Sequence, residues 1–163
     1  MAVELCRIDD RLIHGQVVVG WGQPLDLRFI VLVDDEVATS DWEQELYRMG
    51  VPPEMEVFFE SVEGAVVRFA QFARDPRPGL LLTGDITTMS RVVARVPTIR
   101  TVNLGGIHHR AGRVQRLRYV FLAPDEEQAL RALARSGVTV TAQDVPAARP
   151  VPLEDVLNSR GDS

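Results

Sequence analysis

The stretch Arg7-Ile8-Asp9-Asp10-Arg11-Leu12-Ile13-His14-Gly15-Gln16 puts two guanidinium groups, two carboxylates and one imidazole within ten residues. A neutral imidazole has one ring nitrogen with a free lone pair, so it can attack phosphorus and hold a phosphoryl group covalently. Guanidinium groups supply the other half of that chemistry, because their planar forks bind phosphate oxygens in pairs and stabilise the charge on a group in transfer. His14 is therefore the candidate nucleophile, and Arg7 and Arg11 are the candidate phosphate-binding cations. Gly15 leaves space beside the imidazole for a visiting donor, and Asp9 or Asp10 can fix the ring's tautomer by hydrogen bonding to it. The same residues also fit a plainer arrangement, a salt-bridged turn Asp9-Asp10-Arg11 with His14 as a polar helix start. Spacing alone leaves the two open.

The elements that must position these groups read as short β-rich runs alternating with amphipathic stretches, the pattern of a parallel sheet covered by helices on both faces. The expected class is α/β, a three-layer α/β/α sandwich with a mainly parallel central sheet of about six or seven strands. Strands are expected at 2–8, 27–33, 57–59, 80–82, 98–104, 119–122 and 138–142. A helix or loop-helix is expected from Leu12 to Gly20, and helices after Asp34-Asp35-Glu36, after Ser61, from Ile86 to Arg95, from Asp125 to Arg135 and from Leu153 to Leu157. In the second of these, Trp42, Leu46 and Met49 recur at helical intervals as an apolar stripe, with Gly50 as the stop. The segment from Ile107 to Arg118 carries no periodicity and reads as irregular. In such sheets ligands bind beyond the carboxyl ends of the strands, which is where the Arg7–Gln16 stretch and Gly105-Gly106 both fall.

Composition narrows the partners. A chain of 163 residues, 45% hydrophobic, has material for one compact domain, 1–163, with a short C-terminal tail in which Arg160-Gly161-Asp162-Ser163 is a loose end. A net charge of -5 argues against nucleic acid, whose binding relies on releasing counterions to a basic surface. All 18 basic residues are arginine, so any cationic work falls to guanidinium groups. The single cysteine, Cys6, sits in an apolar run and reads as a buried structural thiol. The start of the chain lacks a basic-then-apolar leader, and no run approaches the roughly 18 apolar residues of a membrane span. A cytoplasmic location follows as the expectation. His108 and His109 are neighbours whose side chains diverge in extended backbone, so with His14 they do not make a metal site. Neither a G-x-G-x-x-G nor a P-loop pattern follows the first or fifth strand, so no nucleotide or other cofactor is expected.

Arg7-Ile8-Asp9-Asp10-Arg11-Leu12-Ile13-His14-Gly15-Gln16-Val17, with Trp21 following, resembles the N-terminal signature of the IIB component of the mannose/fructose/sorbose family of bacterial sugar phosphotransferase systems. Val33-Asp34-Asp35-Glu36-Val37-Ala38 and Val102-Asn103-Leu104-Gly105-Gly106-Ile107-His108 resemble further stretches of that family in the same order, with Asp34 standing where the family commonly has asparagine. The resemblance implies a phosphotransferase in which His14 accepts a phosphoryl group from a IIA component and passes it to a sugar crossing the membrane through IIC and IID. It implies Arg7 and Arg11 as the basic groups around His14, and Asp10, Gly15, Gly105, Gly106 and His108 as residues of the phosphate and partner site. A place at the inner face of the membrane and self-association into a homo-oligomer are both compatible with such a carrier. The alternative is a regulatory module that docks partners according to its phosphorylation, without sugar transport; nearby genes for IIC and IID would favour transport.

Overall fold

Phe29–Val33 and Gly79–Thr83 are continuous apolar runs with every residue buried, and in the computed structural model, which describes residues 3–161, they lie side by side at the centre of one sheet. The parallel strands are β1 (Val3–Ile8), β2 (Phe29–Val33), β3 (Glu56–Glu60), β4 (Gly79–Thr83) and β5 (Thr101–Leu104). β6 (Val114–Leu117) and β7 (Val120–Leu122) form a separate antiparallel hairpin. β8 (Thr139–Ala142) continues the parallel sheet, and β9 (Val151–Pro152) closes its edge antiparallel, giving the order β3-β2-β4-β1-β5-β8-β9. Ala2 and the pair Asp162-Ser163 lie outside the described residues.

Alternate side chains of each strand point to opposite faces, and the core divides accordingly. Ile30, Leu32, Leu80 and Leu82 pack with Val17 and Val18 of α1 (Gly15–Leu25). Phe29, Val31 and Leu81 belong to the other layer, with Ala65, Phe69 and Phe72 of α3 (Val62–Arg74) and Met89 and Val92 of α4 (Ile86–Arg95). α5 (Pro124–Arg135) and α6 (Leu153–Asn158) join that second layer through Leu130, Leu133 and Val156. Each such side chain contributes roughly 1.5–3 kcal/mol through burial, so both layers are needed to hold the strand ends in register. Cys6 is inside this core, and burial pushes its thiol up to about 12. Alkylating reagents at neutral pH are therefore expected to label it only at the rate of unfolding, read by mass spectrometry; prompt labelling of the native chain would contradict the packing.

Three expectations are corrected. The helix after β2 splits: Asp34 Oδ1 accepts from the N–H groups of Glu36 and Val37 and starts a 3-10 turn (Val37–Thr39), and α2 (Asp41–Arg48) begins only after Ser40. No residue of α2 is buried, and its apolar stripe faces outward. Second, the segment read as irregular contains β6, because Val114–Leu117 pairs back on β7 across a turn at Arg118-Tyr119 that has neither glycine nor asparagine to announce it. Third, the first helix starts at Gly15 and not at Leu12, since Leu12 has a left-handed φ of 55° that no helix accommodates.

Candidate functional site

The loop after β1 is clamped between the ends of its two neighbours in the sheet. The Asp9 N–H donates to the carbonyl of Thr83, the last residue of β4, at 2.9 Å, and the Asp10 N–H donates to the Gly106 carbonyl beyond β5 at 2.9 Å. The chain then turns tightly, with the Leu12 N–H on the Asp9 carbonyl at 3.0 Å and the positive φ at Leu12 costing of order 1 kcal/mol. That turn brings His14 out to the surface as the N-cap of α1. Its Nδ1 accepts the Gln16 N–H at 3.1 Å, so one ring nitrogen lies at the amino end of a helix, where free N–H groups favour negative charge. Neither Asp9 nor Asp10 bonds to the His14 ring, contrary to the expectation from sequence; a backbone amide sets the ring's orientation. A side chain at Gly15 would meet nothing within 4 Å, so the approach to the ring is open.

Arg7 is not where a surface phosphate can reach it. Its side chain has 0% exposure and its guanidinium is held from several sides: Nη1 donates to Asn103 Oδ1 and to the Gln143 carbonyl at 2.9 Å, and Nη2 to Asp9 Oδ2 at 3.0 Å and the Asp144 carbonyl at 3.3 Å. The guanidinium carbon lies 4.4 Å from the centre of the Trp21 ring. Arg7 thus ties together the ends of β1, β5 and β8, and the assignment of direct phosphate contact is corrected to one of support. Gly105 is part of the same device: a Cβ there would overlap the Arg7 guanidinium and stand 2.5 Å from Asp9 Oδ2.

Asp9 joins Arg7 to Arg11. Its carboxylate is fully buried and receives Arg11 Nε at 2.9 Å and Nη2 at 2.7 Å, a two-point grip that leaves Nη1 to donate to Gln16 Oε1 at 2.8 Å. Burial pushes the Asp9 carboxyl up, but the hydrogen bonds from Arg11 and the charges of Arg7 and Arg11 outweigh it and hold the group below its ordinary value. Arg11 and His14 therefore meet through one residue, Gln16, whose side chain contacts the first and whose amide contacts the second. Asp10 serves the opposite wall. It accepts the His108 N–H at 2.8 Å and lies 2.6 Å from His108 Nδ1, fixing an otherwise exposed ring. His109 turns away and meets Phe121 edge-on.

Arg11, Gln16, Gly106, His108, Tyr119 and Asp144 border a cleft of about 500 Å³ at this end of the sheet. A groove of about 520 Å³ between α4 and α5 is bordered by Val93, Leu133 and Val138 among others and reaches the opposite strand ends; no histidine or carboxylate lines it. Gln16, Asn103, Gln143 and Asp144 are the site residues not singled out from sequence. The last two follow β8 directly, so the strand-end rule that selected the first loop would have found them too.

A family model described as "PTS system sorbose subfamily IIB component" matches residues 3–163. The sorbose-specific EIIB component of Klebsiella pneumoniae is 34% identical over 162 residues, covering 97% of this chain and 96% of that protein. The crystal structure of the IIBSor domain of the sorbose permease from the same organism superposes with a TM-score of 0.87 at 32% identity, covering 97% of each chain. The mannose-specific EIIAB component of Escherichia coli strain K12 is 29% identical over 165 residues, which span 97% of this chain and 49% of that longer protein. The three-layer sandwich, the loop carrying His14 and these end-to-end similarities lead to one conclusion: the chain belongs to the sorbose-subfamily IIB components of the phosphotransferase systems, phosphotransferases of sugar uptake.

Proposed function

We propose that His14 is the phosphoryl carrier of this protein and that its Nδ1 forms the bond to phosphorus. The observation that carries the reading is an exposed imidazole capping α1 through Nδ1, with Arg11 beside it by way of Gln16. As an acceptor from the Gln16 amide, Nδ1 is the lone-pair nitrogen of the neutral ring, and the proton sits on Nε2. Nδ1 attacks the phosphorus of a IIA phosphohistidine as the donor's N–P bond breaks, and the Gln16 N–H is then free to bond a phosphoryl oxygen. Arg11 stays charged throughout, since hydrogen bonding to Asp9 raises it further above its usual value, and Nη1, on Gln16 Oε1 before transfer, is the donor that turns toward the transferring group. In the second step a sugar hydroxyl presented by IIC and IID displaces Nδ1 from phosphorus. Arg7, Asp9 and Gly105 hold Arg11 and the loop; Asp10 holds His108 toward the cleft; Gly15 and Gly106 keep the approach free of side chains.

A IIA partner is supported by the EIIAB relative, whose name joins the two components in one protein of which this chain matches about half. Among the described residues no helix is long and apolar enough to cross a membrane, which accords with a carrier working on the cytoplasmic side and meeting the bilayer only through IIC and IID. The test is incubation with a phosphorylated IIA donor, followed by phosphorus NMR and mass-spectrometric site assignment. Acid-labile, base-stable label on His14 Nδ1, lost in His14→Ala, is the expected result. Label on another residue, or wild-type labelling of His14→Ala, overturns the proposal.

A further inference from the structure

Trp42, Leu46 and Met49 are 71%, 57% and 84% exposed, although their spacing is that of a buried helix face. The stripe adjoins the carrier loop: a methyl group at Gly50, just beyond α2, would stand 3.7 Å from Ile13 Cγ2, and Ile13 precedes His14. An eight-residue helix is about 12 Å long, whereas a protein interface of about 800 Å² per partner extends some 16 Å from its centre. Any partner that reaches His14 with a standard interface thus extends far enough to cover the stripe, and the charge of the segment decides which of them uses it.

The charge around the stripe selects the partner. Residues 34–49 hold six carboxylates and one arginine, a formal -5, while the rest of the chain has 17 of each sign. The segment that carries α2 thus holds a formal charge as large as the net charge of the protein, offset in part by Arg91 of α4, which pairs with Asp35 at 3.0 Å. An anionic lipid surface and a second copy of this chain are both repelled by it. A donor arriving with its own phosphohistidine brings about two further negative charges and is repelled as well. The cytoplasmic loops of a membrane-embedded protein carry an excess of Lys and Arg and attract it.

Resting on the reading of His14 as carrier, we infer that α2 is the docking element for the basic cytoplasmic face of the membrane-embedded sugar-transporting component. Trp42 and Leu46 are the apolar anchors, and the surrounding carboxylates steer the encounter. Phosphorylation of His14 adds negative charge beside the same patch, so the loaded carrier is drawn more strongly to that face than the unloaded one.

The test uses the double variants Trp42→Gln/Leu46→Gln and Glu43→Lys/Glu45→Lys. None of these residues is buried, so both are expected to keep the wild-type melting profile, and circular dichroism checks this. Phosphoryl transfer from the IIA donor to His14 is expected to keep its rate in the apolar variant and to hold or rise in the charge variant, where repulsion of the phosphorylated donor is relieved. Transfer onward to sugar in membrane vesicles bearing IIC and IID is expected to fall about tenfold through a higher KM for the carrier, and in the charge variant to lose most of its salt dependence. Sedimentation of the unphosphorylated chain with these vesicles, compared with vesicles of anionic lipid alone, reads docking without any phosphoryl transfer. A defect confined to the donor step would assign the stripe to IIA, equal sedimentation with both vesicles would assign it to lipid, and no defect in either step would remove it from docking; each overturns the inference. Absence of label on wild-type His14 would instead refute the carrier reading, while the sedimentation result stands by itself.

Discussion

Asp9→Ala is expected to lower folding stability by about 3–5 kcal/mol, a large share of the total for a domain of this size, because it leaves the fully buried Arg7 guanidinium without its charge partner. The remaining contacts of Arg7, to Asn103 and the Gln143 and Asp144 carbonyls, satisfy donors but do not neutralise charge. Urea denaturation measures the effect; a loss below about 1 kcal/mol would show that Arg7 is not held by Asp9. The sign of the pH dependence follows from the same carboxylate. Its folded-state value lies below the ordinary 3.8, so its stabilisation is fully present above that value and disappears as pH falls through the lower, folded one. Wild-type stability should accordingly fall in acid below about pH 4, and Asp9→Asn should show a shallower fall in that range. A double change, Arg7→Met with Asp9→Leu, should regain much of the lost stability, since apolar replacements of a buried pair are often neutral. It should still transfer slowly, at no worse than the rate of Arg11→Ala, because Arg11 has then lost its two-point support. If that double variant transferred normally, the buried pair would have no part in the site.

Arg11→Ala should slow phosphoryl loading of His14 about 10²–10³-fold, the cost of removing one preorganised charged donor from a transferring group. Arg11→Lys should recover only part of this. A lysine is a point charge and cannot grip both Asp9 oxygens while presenting a third donor toward Gln16, as Nε, Nη2 and Nη1 of Arg11 do. Single-turnover transfer from a phosphorylated IIA donor separates the two variants. Because Arg11 sits at the rim of the cleft and is partly exposed, neither change should unfold the chain. Equal rates for Lys and Arg would mean that charge alone, without the fork, suffices.

Much of the architecture is legible in the residues. Phe29–Val33 and Leu80–Leu82 are apolar without alternation, which only a strand covered on both faces requires, and Ser61, Asp85 and Gly137 mark helix ends as their chemistry demands. β7 was legible as a strand at 119–122, but its hairpin partner β6 and the edge strand β9 were not, for they are held by strand pairing and not by any local pattern. The outward face of α2 was misleading for a related reason: periodicity shows that a helix has an apolar side, not that the domain covers it.

At the site, the residue types were sufficient to pick out a histidine flanked by arginines beyond a strand end. What they left open was whether those residues form a salt-bridged turn with a capping histidine or a phosphoryl site, and the fold shows the first arrangement in a form that does not exclude the proposed second. Asp9 and Arg11 are paired, and His14 does cap a helix. Which arginine faces outward depends on groups about 100 and more residues away, Asn103 and Gln143-Asp144, which draw Arg7 into the interior and leave Arg11 at the surface. Local sequence supplies the charges, but burial and hydrogen-bond partners decide what each charge does, and those come from strands that meet only when the sheet is assembled.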